Sequence, residues 1–401
     1  MHSVFDVLKR EKLLFGLILC FVLPPIGILF LFIIGFISFY KSWRGKQHLS
    51  FSLASLFFLC LLISTIFATY QMENISLFVS SLMVIGYWGL YTFIRNNGSI
   101  VHFHQYKWII IFGGVYNCLI GWLLNSIDEN PILGFLTGTI QLGESDHSRL
   151  FGSSYNSNFA MYLILVAIAF LFGEIQIRLR NKNYNLLYWQ ILMVLVLSYG
   201  VFTTGSRAGY ATLIILYLLF FFRLNKWVFV TIAGLLLVLA KQVYMLMPRK
   251  DIIDISANVR ENIWTNSIDL WKQHFFFGTT PLGFRGEYFK FFNDDMIHAH
   301  NLFIGFFVEY GIIGGIAFLT VFSITGYKAI SLFFSKKHSN ELLEYFLLSL
   351  PIIVLTGILD EPTFSPQIAL PTIVLLSYWG RYTRNFSLAF LPFPAAKLKK
   401  T

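Results

Sequence analysis

Apolar runs of about 15 to 23 residues recur along the whole of this 401-residue chain, and they decide its solvent before any motif is read. Residues are 56% hydrophobic and only 12% charged, with a mean hydropathy of +0.67, which no water-soluble globule of this size can carry. Without water to satisfy the backbone, a spanning segment must be a helix or part of a closed barrel. The runs are continuous and do not alternate, so an all-α polytopic membrane protein is expected, with residues 1–401 as a single integral-membrane domain.

Apolar segments lie near 13 to 40, 49 to 69, 75 to 94, 108 to 127, 157 to 173, 186 to 203, 208 to 222, 227 to 247, 312 to 334, 345 to 359 and 367 to 380. The first is flanked by Lys9, Arg10 and Lys12 on one side and by Lys41, Arg44 and Lys46 on the other, and Pro24-Pro25 breaks it. Two short helices turning at the prolines leave both basic clusters on the cytoplasmic side. That hairpin brings the count to about twelve crossings. The alternation then puts Arg178, Arg180, Lys182, Arg223, Lys226, Lys336, Lys337, Arg381, Arg384 and the Lys397 to Lys400 tail inside, whereas a single long crossing would place most of them outside. Both termini are therefore expected in the cytoplasm. No cleavage site of small residues follows the first apolar run, which is expected to be retained.

The net charge of +10 fits basic cytoplasmic loops and calls for no nucleic acid. Cys20, Cys60 and Cys118 are scattered within apolar runs, where a thiol acts as a small hydrophobe. His102 and His104 are assigned to a cytoplasmic loop with Lys107.

Two outer segments are too long for simple connections: about 128 to 156, and a large extracytoplasmic loop at 248–299. Within the second, residues from Ser256 to His274 read as an amphipathic interfacial helix, with Ile255, Val259, Ile263 and Leu270 on one stripe and Arg260, Trp264, Ser267 and Trp271 beside it. At its end, His298-Ala299-His300-Asn301 places two imidazoles immediately before an apolar run, where desolvation makes polar groups costly without a task.

Three further elements face the same side. Thr203-Thr204-Gly205-Ser206-Arg207-Ala208-Gly209 is a tight link that sets an obligate cation near lipid, either to meet an anion or to snorkel. Val259-Arg260 stands four residues ahead of Trp264. Ser148-Arg149-Leu150-Phe151-Gly152 precedes Asn156 and Asn158, amides able to cap the next helix.

Together these residues resemble the O-antigen ligase family, which also includes polysaccharide polymerases and protein O-oligosaccharyltransferases. The likeness rests on His300-Asn301 followed after nine residues by Gly311-Ile312-Ile313-Gly314. It rests also on the Gly-Ser-Arg-Ala-Gly link, the Val-Arg-x-x-x-Trp helix, and the Arg-Leu-Phe-Gly element with its Asn-x-Asn, in the same order over about 149 to 315.

The resemblance implies a glycosyltransferase C-like fold and a metal-independent enzyme without cofactor. It implies a donor glycan on undecaprenyl pyrophosphate, transferred to an acceptor hydroxyl at the outer face of the cytoplasmic membrane. Arg207 and Arg260 would hold the donor pyrophosphate, Arg149 would be a third cation, and His300 would act on the acceptor hydroxyl. His298, Asn301 and Trp264 are expected to support. The acceptor is a lipid such as lipid A core or a growing lipid-linked glycan, and the small outer loop makes a protein acceptor less fitting.

The chemistry of the side chains agrees. Guanidinium groups neutralise a departing pyrophosphate through forked hydrogen bonds, and a neutral imidazole can take a sugar hydroxyl's proton. Carboxylates at Asp294-Asp295 and Asp360-Glu361 are present, but no pairing of them demands a covalent intermediate, so inversion by one displacement is expected. Glu309 is expected to face away from His300 and to pair within the bundle.

Two rival readings remain. Asp294, Asp295, His298 and His300 have the composition of a divalent-metal site. A lipid-linked oligosaccharide transporter or flippase would also be basic, polytopic and aromatic, although it would scatter ionisable residues at mid-membrane depth, and here they cluster at one face.

Overall fold

The computed structural model describes residues 11–45, 52–124, 130–142, 148–334 and 341–385. The expectations for Lys9, Arg10, Lys46, Lys336, Lys337, the Lys397 to Lys400 tail and both termini lie outside the described residues. Among those described, the chain is all helical and has no strand.

Helices α1 (Lys12–Val22) and α2 (Pro24–Trp43) form the hairpin that the prolines predict. Pro24 removes the backbone donor that would continue α1, and the chain reverses at Leu23. Phe15 meets Phe30 at 5.6 Å between ring centres, and Gly27 lies directly against the Cys20 backbone, so the two helices run antiparallel. Next come α3 (Leu53–Gln71), α4 (Phe78–Asn97, entered through a 3-10 turn at Ile75–Leu77) and α5 (Ile100–Leu124). A Cβ on Gly35 of α2 would sit 2.2 Å from the Gly86 carbonyl of α4, a close helix crossing that only small residues permit.

Helix α6 (Pro131–Thr137) is short; α7 (Ser157–Arg180) is the axis of the molecule. Every residue of α7 from Ala160 to Gln176 is buried, enclosed by α5, α8 (Leu187–Thr203), α9 (Arg207–Leu224) and α15 (Glu341–Gly357). A helix apolar on every face belongs at the centre of a bundle in just this way. Helices α10 (Lys226–Val238) and α11 (Ala240–Met245) bury no residue, and α10 packs chiefly on α9. Helix α12 (Ile253–Gln273) docks on α14 (Leu302–Phe334), α13 (Phe284–Phe292) packs on α12, and α16 (Pro366–Tyr382) closes the bundle.

Seven of the described helices are long and apolar enough to cross a membrane: α2, α3, α4 with its leading turn, α5, α7, α9 and α14. Helices α1, α8, α10 and α15 are apolar but shorter. The chain is an integral membrane protein.

Several expectations need correction. His102 and His104 are not in a loop: they lie in the opening turns of α5, which starts well before the apolar run at 108. Lys107 is buried and salt-bridged to Glu174. A membrane helix can begin among polar residues when a neighbouring helix supplies the counter-charge, and that partner is invisible to a local hydropathy reading. The buried line of α12 is Ile263, Ser267 and Leu270, whereas Ile255 and Val259 are exposed, because the apolar packing of the helix lies in its second half.

Helix α14 also begins earlier than its apolar run at 312 implies, and it is interrupted at Gly311 (φ 63°, ψ −167°). The segment after α12 fills the interruption: Ile312 N–H donates to the Phe275 carbonyl (2.8 Å), Thr279 N–H to Val308 (2.9 Å) and Thr280 N–H to Glu309 (2.8 Å). A Cβ on Gly311 would lie 2.2 Å from the Phe276 carbonyl oxygen. Glycine is needed both for its positive φ and for this approach, and the broken backbone is satisfied within the protein as a membrane segment requires.

Candidate functional site

The interruption of α14 anchors the segment that precedes it, and His300 stands at the helix entrance. Asn301 caps α14, its side-chain oxygen accepting from Phe303 N–H (2.9 Å) and Ile304 N–H (3.1 Å) while its amide donates to the Ile358 carbonyl (2.9 Å). That last bond ties the helix entrance to the loop between α15 and α16. His300 itself has φ 49°, a left-handed conformation costing a non-glycine residue about 1 kcal/mol. Its carbonyl accepts the Trp264 indole N–H at 3.2 Å, which couples α12 to the turn.

The loop after α15 delivers Asp360. A single carboxylate oxygen accepts from His298 Nε2 (3.1 Å), from His300 Nδ1 (3.1 Å) and from Glu361 N–H (2.8 Å). Asp360 is 3% exposed, and burial alone would raise its pKa, but the bonds from the two imidazoles and their charges hold it well below the usual carboxylate range. Burial pushes His298 down, against the pull of Asp360. The His298 ring lies 4.2 Å from that of His300 and stacks on Phe364. With Nδ1–H donated to Asp360, His300 presents Nε2 as its basic nitrogen, and its side chain is 29% exposed.

Arginines gather at the same end of the bundle. Arg207 opens α9 after Ser206, whose hydroxyl caps the helix by accepting Gly209 N–H at 3.2 Å. Arg207 Nη2 donates to the Ser256 hydroxyl near the start of α12, and Arg207 feels the charges of Arg260, Arg249 and Arg149. Arg149 is 3% exposed, donating from Nε to the Thr204 carbonyl (2.7 Å) and from Nη2 to Asn158 Oδ1 (3.1 Å). Gly205, at φ +64°, leaves room for the side chains of Arg149 and Arg249 against it. Asn156 caps α7 by accepting Asn158 N–H at 2.8 Å, as its place in the sequence implies. Two buried nitrogens, Arg207 Nη1 and Arg260 Nε, have no hydrogen-bond partner among the described residues. Buried donors normally find acceptors, and guanidinium nitrogens are suited to anionic ones. Arg260 and Trp264 stand four residues apart on α12, and the Trp264 bond to His300 brings the arginine and imidazole groups into one region.

Of the residues named from the sequence, Arg149 and Arg260 lie within electrostatic reach of Arg207, His298 and His300 meet at Asp360, Asn301 caps the same helix entrance, and Trp264 bonds to the His300 carbonyl. Arg249 and Asp360 carry no role in the sequence reading. Arg249 follows Pro248 in a basic run at the start of the long segment, the only local signal it offers. Asp360 lies sixty residues from His300, and nothing local joins them.

The suggested metal grouping does not assemble: Asp295 receives Arg285 Nε at 2.5 Å and Nη2 at 2.6 Å in an exposed forked pair. One nitrogen from each of His298 and His300 and one oxygen of Asp360 do lie within 4.8 Å of one another, a spacing that could hold a metal ion. The contacts at 3.1 Å are fully accounted for as hydrogen bonds to a carboxylate. Glu309 is buried, but its expected pairing takes an unexpected form: the charge beside it is another carboxylate, Glu361.

Comparison with known proteins bears out the resemblance read from the motifs. The O-antigen ligase family model matches residues 191–319, a stretch that holds Arg207, Arg260, Trp264, His298, His300 and Gly311 but ends before Asp360. A search of curated proteins found no match.

Proposed function

We propose that this membrane protein is a glycosyltransferase of cell-surface polysaccharide synthesis that moves a glycan from undecaprenyl pyrophosphate to an acceptor hydroxyl, by one inverting displacement and without a metal. The observation that carries the reading is the pair of buried nitrogens on Arg207 and Arg260, without a partner among the described residues, on segments joined through Trp264 to a His300 bonded to Asp360. In this scheme the acceptor oxygen attacks the anomeric carbon as the bond from that carbon to the pyrophosphate oxygen breaks. The bonding electrons leave with the pyrophosphate, whose growing charge Arg207, Arg260 and Arg149 meet with preorganised donors. The acceptor proton passes to His300 Nε2, and the imidazolium that forms is stabilised by Asp360.

The positive-inside distribution supports twelve crossings, both termini in the cytoplasm, the 248–299 segment outside, and the site on the outer face of the cytoplasmic membrane. The glycosyltransferase C-like fold is part of the same proposal. Ligase and polymerase differ only in the acceptor. The family match supports the ligase reading, with a lipid acceptor, and extension of another lipid-linked glycan would use identical chemistry.

The test is incubation of the purified protein in liposomes with a defined undecaprenyl-linked oligosaccharide, with and without lipid A core, before and after thorough chelation. Acceptor labelling that survives chelation is the expected result, and ladder growth without lipid A core would reassign the protein as a polymerase. Translocation of the oligosaccharide without any transfer would overturn the enzyme reading in favour of a flippase. Loss of transfer on chelation, restored by a divalent ion, would place a metal on His298, His300 and Asp360.

A further inference from the structure

Next to the His300–Asp360 contact lies a second buried acidic group that the proposed reaction does not use. Glu361 follows Asp360 directly, is 2% exposed, and directs its carboxylate onto the first turns of α14: a Cβ on Gly305 would lie 2.2 Å from Oε2 and 2.4 Å from Oε1. Glu309 stands four residues beyond Gly305 on the same helical face and is 3% exposed. Glu309 Oε1 and Glu361 Oε2 both lack a hydrogen-bond partner among the described residues. Burial first, then the charges of Glu309 and Asp360, push Glu361 well above the ordinary glutamate range. The phenols of Tyr87 on α4 and Tyr310 on α14 complete the titratable surroundings of the pair, and Asp360 leads on to His298 and His300.

Two buried carboxylates cannot both stay ionised side by side without a large electrostatic cost, and two orphaned acceptors cannot satisfy each other without a proton. One proton between them solves both problems. We propose that Glu309 and Glu361 share a single proton as a hydrogen-bonded carboxyl and carboxylate, and that this pair clamps the Asp360 loop onto α14 and so positions Asp360 against His300. Gly305 is then the residue that makes the clamp possible, because any side chain there would occupy the place of the Glu361 carboxyl. Asn301, bonded to the Ile358 carbonyl, ties the same loop to the same helix from the other side of Asp360. As the pair acts through Asp360, both glutamates are positioning residues.

The positioning half of this inference rests on the proposed glycan transfer, and the proton-sharing half does not, so the experiment reads them separately. Infrared spectra of the full-length protein in liposomes near neutral pH should contain a protonated-carboxyl band that Glu309→Gln and Glu361→Gln each remove. A wild-type protein without that band, or a band retained in both variants, overturns the shared proton. In the transfer assay a glutamine amide donates to the remaining carboxylate, so either Gln variant should keep kcat within about threefold, while Glu309→Ala and Glu361→Ala should lower it by about tenfold or more with little change in donor KM. The wild type should lose kcat as rising pH removes the proton, and the Gln variants should lack that alkaline limb. Ala variants with wild-type kcat, or Gln variants that keep the alkaline limb, overturn the positioning role. If the wild type transfers no glycan, the reading of the function fails while the infrared result still decides the pair.

Discussion

At one end of the bundle Arg223 donates to both oxygens of Glu344, at 3.1 and 2.6 Å, and to the Phe333 carbonyl at 2.7 Å, while at the other end Arg207 and Arg260 each keep a buried nitrogen without a partner among the described residues. At the first end the protein supplies the anions. Glu344 also takes Arg180 at 2.6 Å, and Lys107 reaches both Glu174 and the Tyr345 hydroxyl, so these charges pin α5, α7, α9 and α15 together. At the second end, Arg149, Arg207, Arg249 and Arg260 are brought within electrostatic reach of one another, an arrangement that like charges do not adopt for stability. In the proposed function the same guanidinium group serves two purposes, and what separates them is whether the protein or the substrate supplies the anion.

If that distinction is right, substitutions at the two ends fail in different ways. His300→Ala should lower transfer most, by about 10²- to 10⁴-fold, with melting temperature preserved; full activity in the purified variant would remove the base from the mechanism. Arg207→Ala and Arg260→Ala should each cost about 10²- to 10³-fold in kcat at little loss of stability. A variant with intact transfer and a lowered melting temperature would move its arginine into the structural group. Asp360→Asn should lower transfer by about 10- to 100-fold by misorienting the imidazole. It should also change the acid stability profile. Because the Asp360 pKa is depressed in the fold, its ionised form stabilises the protein above the unfolded-state value, and that contribution disappears as pH falls through the folded value. The stability gap between wild type and Asp360→Asn, measured by melting in detergent, should accordingly close on strong acidification.

Arg223→Met should leave kcat untouched and lower stability by about 1 to 3 kcal/mol, limited because Arg180 still faces Glu344. Arg285→Ala, which breaks only the exposed pair with Asp295, should change neither quantity measurably; an effect on transfer would mean that the site extends onto α13.

Much of the site was legible because its motifs are local. Gly-Ser-Arg-Ala-Gly reads as a tight link, and Gly205 takes φ +64° there; His300-Asn301 reads as the approach to an apolar helix, and Asn301 stands at its entrance. Hydropathy likewise located nearly every apolar helix, and Pro24 located the hairpin. Charge partners were not legible. Lys107 reads as a loop residue because its partner Glu174 is sixty-seven residues away, and nothing near Glu309 in the sequence signals the charge of Glu361 beside it.

The sequence alone determined that this is a helical membrane protein with a histidine and several arginines gathered in a few polar links, because hydrophobic periodicity, proline breaks and caps act over a few residues. Only the tertiary structure decided that Asp360 orients His300, that Gly205 admits Arg149 and Arg249, that Phe275 to Thr280 fills the break at Gly311, and that Glu361 lies on Gly305. Each of these joins segments far apart in the chain through packing at one end of the bundle, and no local rule encodes which loop ends will meet there.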